Sequence, residues 1–160
     1  MIVSLVHSAF LWLGDSALGH LMRDYTAPSS IAVVLHLLGL ILLGGPTLLI
    51  SFAVLGVIVR SPSASRVDRE LWRFYLTGLA LATLTGLAMV SSKADHYFNN
   101  DIFWVKLTLL ATATLGSVLV HRHLRRVPSG RIVLPWRFVA ALNVLLWTGV
   151  TIAGRGIGLF

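Results

Sequence analysis

The sequence predicts an all-α integral membrane protein: a four-helix bundle preceded by an amphipathic helix lying along the membrane interface. Three observations predict it. Hydrophobic residues make up 56% of the 160 residues and charged residues 12%, and mean hydropathy is +0.84. An ordinary soluble domain is roughly 45–50% apolar and about 25% charged. Charge this sparse does not coat a water-facing surface, which excludes a soluble globular enzyme, and the same numbers exclude intrinsic disorder. The second observation is four apolar runs of helix-spanning length, and the third is that the bases gather at the ends of those runs. One transmembrane domain, 1–160, accounts for the whole chain.

The elements follow in order. Residues 1–24 are apolar from Met1 to Gly14, too short to span. Val3, Val6, Phe10, Leu13 and Ala17 recur at helical spacing, while Asp15, His20, Arg23 and Asp24 add polarity. A helix lying in the interface fits this pattern; a basic start and a small-residue cleavage site are missing, which argues against a removed signal peptide. The first span, 31–59, has no formal charge before Arg60, carries His36 as its ionisable group, and can kink at Gly44-Gly45-Pro46. Ser61-Pro62-Ser63-Ala64-Ser65 then breaks the chain, and Ser65-Arg66-Val67-Asp68 reads as a capping box opening the second span, 67–92. Asn99-Asn100-Asp101 opens the third, 101–126, which contains Lys106 and ends before Val127-Pro128-Ser129-Gly130. Pro135 suits the first turn of the fourth, 134–157, where a missing N–H leaves nothing unpaired. Each run is close to the ~20 residues that cross the hydrocarbon core, with terminal arginines snorkelling. The runs are too long for barrel strands and lack their alternation.

Orientation comes from the basic loops. Arg60, Arg66, Arg69 and Arg73 flank the first loop, and Arg122, Arg125, Arg126, Arg131 and Arg137 the third. Both face one side, which the positive-inside rule makes cytoplasmic, so both termini lie outside. This also explains the net charge of +7 without nucleic acid. Cysteine is absent, which excludes disulfides, thiolate metal sites and c-type haem attachment.

An ionisable residue inside a span is a functional candidate, because its burial costs several kcal/mol. His36, Lys106 and Arg155 qualify, at matched depth on the outer side, with Met89 close by and Asp95, His96, Tyr97, Asn99 and Asn100 in the loop above. An imidazole in an apolar bundle suits a b-type haem, and Lys106 and Arg155 suit its propionates. Gly39, three residues after His36, would leave room for a flat macrocycle. His36 is thus the candidate metal ligand, and His36, Lys106, Arg155, Met89 and His96 are the candidate cofactor-binding residues. His121 lies about 22 Å deeper than Lys106 and cannot share a haem with His36. His121 and His123 point about 200° apart on a helix, so with the neighbouring arginines they read as a collar for anionic headgroups rather than a metal site.

Gly78, Ala82 and Gly86 recur every four residues and mark a close helix contact, within the bundle or between chains. Threonines in the spans can bond back to their own helix. The tryptophans and tyrosines mostly fall near span ends, as an aromatic belt would. Nucleotide-binding and hydrolase motifs are lacking. No carboxylate falls within the apolar runs, which disfavours a proton-relay pump.

The order of certain pieces carries a resemblance. These are His36-Leu37-Leu38-Gly39 with a glycine pair and Val54-Leu55-Gly56, then Thr85-Gly86-Leu87. Tyr97-Phe98-Asn99-Asn100, Phe103-Trp104-Val105-Lys106, Leu146-Trp147 and Ala153-Gly154-Arg155 follow. Over about residues 15 to 160 the chain resembles a family of small bacterial four-helix inner-membrane proteins of unknown function. That family is distantly similar to the copper-resistance protein D type and to small b-type cytochrome subunits. The resemblance implies a multi-pass protein of the bacterial inner membrane, and its pattern marks out His36, Asn99, Lys106 and Arg155. Two positions depart from it: Ser51-Phe52-Ala53-Val54 replaces an Asp-Leu-Arg before the Leu-Gly of the first span, and Gly156 replaces an aromatic. The functional expectation is a membrane redox or quinone-associated subunit, with haem b or quinone at His36. The alternatives are a non-catalytic structural or accessory subunit, and a copper-handling protein using His36, Met89 and His96. Expected partners are the lipid bilayer and other membrane subunits or further copies of the chain.

Overall fold

The computed structural model describes residues 2–58, 64–126 and 132–157. The described residues form seven helices: α1 (Ile2–Gly14), α2 (Ala17–Asp24), α3 (Thr26–Leu55), α4 (Ala64–Ser92), α5 (Ala94–Phe98), α6 (Asp101–Arg126) and α7 (Leu134–Gly156). Among them α3, α4, α6 and α7 are long and apolar enough to cross a membrane. The protein is an all-helical, multi-pass membrane bundle.

Local chemistry sets the boundaries. The helix expected over 1–24 is two helices, because Ser16 adopts an extended backbone (ψ 159°) and caps α2, its Oγ accepting from the Gly19 N–H at 3.2 Å. A Cβ on Gly19 would lie 2.2 Å from the Gly14 carbonyl oxygen, so the turn between the two helices needs glycine there. α3 starts at Thr26, ahead of the expected Ile31, with Pro28 in its first turn. It ends at Gly56, whose φ of 80° only glycine adopts freely, and the Val57 N–H closes on the Phe52 carbonyl at 2.9 Å. Pro46 lies inside α3, where it removes one N–H from the ladder. Pro135 falls in the first turn of α7, where the sequence places it. The expected loop at 93–101 contains the short helix α5. The breakers Ser61-Pro62-Ser63 and Val127-Pro128-Ser129-Gly130, with Arg60 and Arg131, lie outside the described residues.

α3 packs along α4 and α6 along α7, and α7 closes the bundle against α3. The α3–α4 crossing is tight. A Cβ on Gly78 would lie 2.4 Å from the Leu43 nitrogen, and one on Gly39 would lie 2.7 Å from the Ala82 nitrogen. The small-residue face of α4 is therefore used within the bundle. At the arginine-bearing end, Ile50, Ala53, Val54, Val120, Leu124 and Ala140 form one apolar cluster; nearer the middle, Leu43, Tyr75, Ala113, Trp147 and Val150 form another. At the opposite end α1 docks on α5. The aromatic rings of Phe10, Phe98, Phe103 and Trp104 pack together there, with centroids 5.6–6.1 Å apart. His7 meets Asp95 at 3.4 Å, and burial pushes the Tyr97 phenol above its usual range.

Candidate functional site

The His36 side chain is half-buried between α3 and α4. Its Nδ1 lies 3.1 Å from Thr85 Oγ1, and the ring sits over Gly86, where an added Cβ would come within 3.3 Å of His36 Cε1. Thr85 fixes the tautomer. Its hydroxyl proton is committed to the Leu81 carbonyl at 2.6 Å, so toward His36 the oxygen is an acceptor and Nδ1 carries the hydrogen. That leaves Nε2 with a lone pair, the arrangement by which an anchored imidazole presents one nitrogen to a ligand.

Lys106 on α6 is half-buried. Its stem rests on Gly154 of α7, where a Cβ would lie 3.5 Å from Cε and 3.6 Å from Nζ. Gly154 thus leaves the lysine room to lie down against α7. Arg155, the next residue, is exposed at the end of that helix. Met89 is half-buried on α4, one turn beyond Thr85. His96 is exposed on α5, with its ring 5.8 Å from Tyr97. The geometry therefore joins His36 with Thr85, and Lys106 with Gly154.

One expectation is corrected here. Gly39 does not leave a gap for a macrocycle; the Ala82 backbone fills it. Among the described residues, no three of His, Cys, Asp and Glu come together to hold a metal ion.

A second polar cluster, on the arginine-bearing side, escapes the sequence reading. Asp68 is 1% exposed, and its Oδ2 meets His121 Nδ1 at 2.8 Å. The His121 ring stacks on Trp72 at 3.6 Å and 5°, and Trp72 stacks on Tyr75 at 4.7 Å and 15°. His121 is consequently no part of an exposed collar. Asp68, expected to close a capping box, is a buried carboxylate within a spanning helix. His123 stacks on Trp136 instead, at 4.0 Å.

Farther in, Ser117 Oγ donates to the Ala113 carbonyl and accepts from Asn143 Nδ2 at 3.0 Å and Trp147 Nε1 at 3.1 Å. Trp147 is thus a buried core residue, not part of a belt. A cavity about one water in size is lined by Tyr75, Ser117, Asn143, Thr47 and Trp72. The Tyr75 hydroxyl and Asn143 Oδ1 are buried without a hydrogen-bond partner. A signal for this cluster exists in the sequence: Asp68, Trp72 and Tyr75 follow at i, i+4 and i+7 on one face of α4, and Asn143 is a lone amide in an apolar span.

The order of elements, with His36, Lys106 and Arg155 toward one end, extends along nearly the whole chain, and the family match covers residues 9–160. The chain belongs to DUF6644, a family of unknown function. No curated protein and no solved structure matches it.

Proposed function

We propose that this DUF6644 protein is a quinone-associated subunit of a membrane redox system, with the quinone headgroup held at His36. The observation that carries the reading is the fixed tautomer of His36. Thr85 holds Nδ1–H, so Nε2 accepts a hydrogen bond from a quinol hydroxyl, and Lys106 supplies a positive charge for a reduced quinone oxygen. An ammonium inside the membrane is stabilised by an electron-rich partner, which a reduced quinone oxygen supplies. The filled space at Gly39 favours a small headgroup over a haem lying on that face. The proposed setting is a redox system at the outer side of a bacterial inner membrane.

Titration of the purified protein with a short-chain ubiquinone tests this. Saturable binding is expected, weakened about two- to tenfold in His36→Ala, since a neutral hydrogen bond is worth ~0.5–1.5 kcal/mol. His123→Ala is expected to bind as the parent does. Absence of saturable binding overturns the reading. A Soret band lost in His36→Ala then gives the site to haem b, and copper found by elemental analysis gives it to copper. A colourless, metal-free, non-binding protein is a structural or accessory subunit.

A further inference from the structure

The cluster at the arginine-bearing end has chemistry of its own, independent of any quinone at His36. Three facts define it. Asp68 and His121 come from different helices, α4 and α6, and meet at 2.8 Å in a place almost closed to solvent. The side chains are unequally closed: Asp68 is 1% exposed and His121 10%. Asp68 Oδ1 is buried and has no hydrogen-bond partner. A buried carboxylate with one oxygen unpaired is costly, and a cation hydrogen-bonded to the other oxygen offsets that cost.

We propose that Asp68, His121 and Trp72 form a proton-binding site at the arginine-bearing end of the bundle. A proton from water enters through His121, the less closed partner, and adds to Nε2. The imidazolium so formed donates Nδ1–H to Asp68 Oδ2 and lies flat on the Trp72 indole, whose face attracts a cation. Release reverses the step: Nε2 gives its proton back to water, and Nδ1–H stays on Asp68. Asp68 acts as the positioning residue, because its carboxylate fixes which nitrogen is open and neutralises the imidazolium.

The other charges that reach Asp68 are Arg69 on α4 and Arg125 on α6. α3 carries no Asp, Glu, Lys or Arg; on α7 Arg137 lies toward Gly56, where an added Cβ would come 3.6 Å from its guanidinium. Uptake and release involve one proton. The site gives the protein a titrating group facing the arginine-bearing side, opposite His36.

The stack supplies the readout. An imidazolium in contact with an indole quenches its fluorescence, whereas neutral imidazole does so weakly. The full-length protein in detergent micelles should show a component of tryptophan emission that falls on acidification. That component is expected to be lost in His121→Gln and in Trp72→Phe. His123→Gln and Trp136→Phe, which remove the neighbouring stack, should leave it in place. Asp68→Asn is expected to displace its midpoint to lower pH, because the carboxylate that favours the imidazolium is gone. Parent emission that does not change with pH overturns the proposal without need of any variant. A component that survives in His121→Gln, or whose midpoint is unmoved in Asp68→Asn with helical circular dichroism intact, overturns it as well.

Discussion

Ser117 holds the bundle's central polar contacts on one oxygen. Its hydroxyl accepts from Asn143 Nδ2 and Trp147 Nε1 and donates to its own helix at Ala113. Ser117→Ala leaves both donors buried without the acceptor they share. A loss of about 1–2 kcal/mol is expected, as a lowered melting midpoint in detergent. Thr148→Ala is the control, because that exposed hydroxyl only bonds back to Val144 and its removal should change stability by less than about 0.5 kcal/mol. The residue scale is also where the sequence was least legible. His36 and Lys106 stand out in apolar runs, and the structure half-buries both. Asp68 and His121 do not stand out, because each sits among arginines and reads as part of a solvated end. Only the packing of α4 against α6 shows that their side chains turn inward. Trp147 does not stand out as a core residue for a related reason: burial of an indole in a span depends on a hydrogen-bond acceptor across the bundle, and Ser117 supplies it from 30 positions away.

The decisive contact between elements is the crossing of α3 and α4. Gly39, Gly78 and Ala82 let two backbones approach until no side chain fits between them. At Gly78 a Cβ would meet the Leu43 nitrogen at 2.4 Å, the Leu42 carbonyl carbon at 2.6 Å and the Gly39 oxygen at 2.8 Å, all backbone atoms of α3. None of these can move without its helix. Gly78→Ala should therefore push α3 from α4 and destabilise by about 1–3 kcal/mol. The same substitution at Gly44 or Gly45 meets nothing within 4 Å. There it is expected to be neutral or to stabilise the helix by up to about 1 kcal/mol. Melting midpoints of the three variants check the contrast, and equal losses in all three would refute the packing argument. Spacing in the sequence predicts that Gly78 and Ala82 make a close contact. It does not say with which helix, since a four-residue repeat of small side chains suits any neighbour. Nor does it show that Gly39 is the other half of that contact rather than a space for a ligand.

For the whole molecule, charge divides the bundle into two unlike ends. Among the described residues Arg66, Arg69, Arg73, Arg122, Arg125, Arg126 and Arg137 lie at the end where α4 and α7 begin. The other end carries α1, α2 and α5, with Asp15, Asp24, Asp95 and Asp101 against Arg23, Lys93 and Arg155. A basic residue near an anionic leaflet contributes about 1 kcal/mol, so an excess this large outweighs any preference of the opposite end. This part of the fold was legible because it depends on composition at span ends and not on packing. The arginine-bearing end should face the cytoplasm, which puts α1 and His36 toward the outer face and the Asp68–His121 pair toward the inner one. The chain has no cysteine, so single cysteines report without background. Ser8→Cys and His96→Cys, both at exposed positions of the acidic end, should react with a membrane-impermeant maleimide on intact cells. Arg66→Cys and Arg122→Cys, exposed at the other end, should react only after the membrane is permeabilised. Labelling in the reverse order would invert the bundle, and with it the sides from which a quinone at His36 and a proton at His121 are reached.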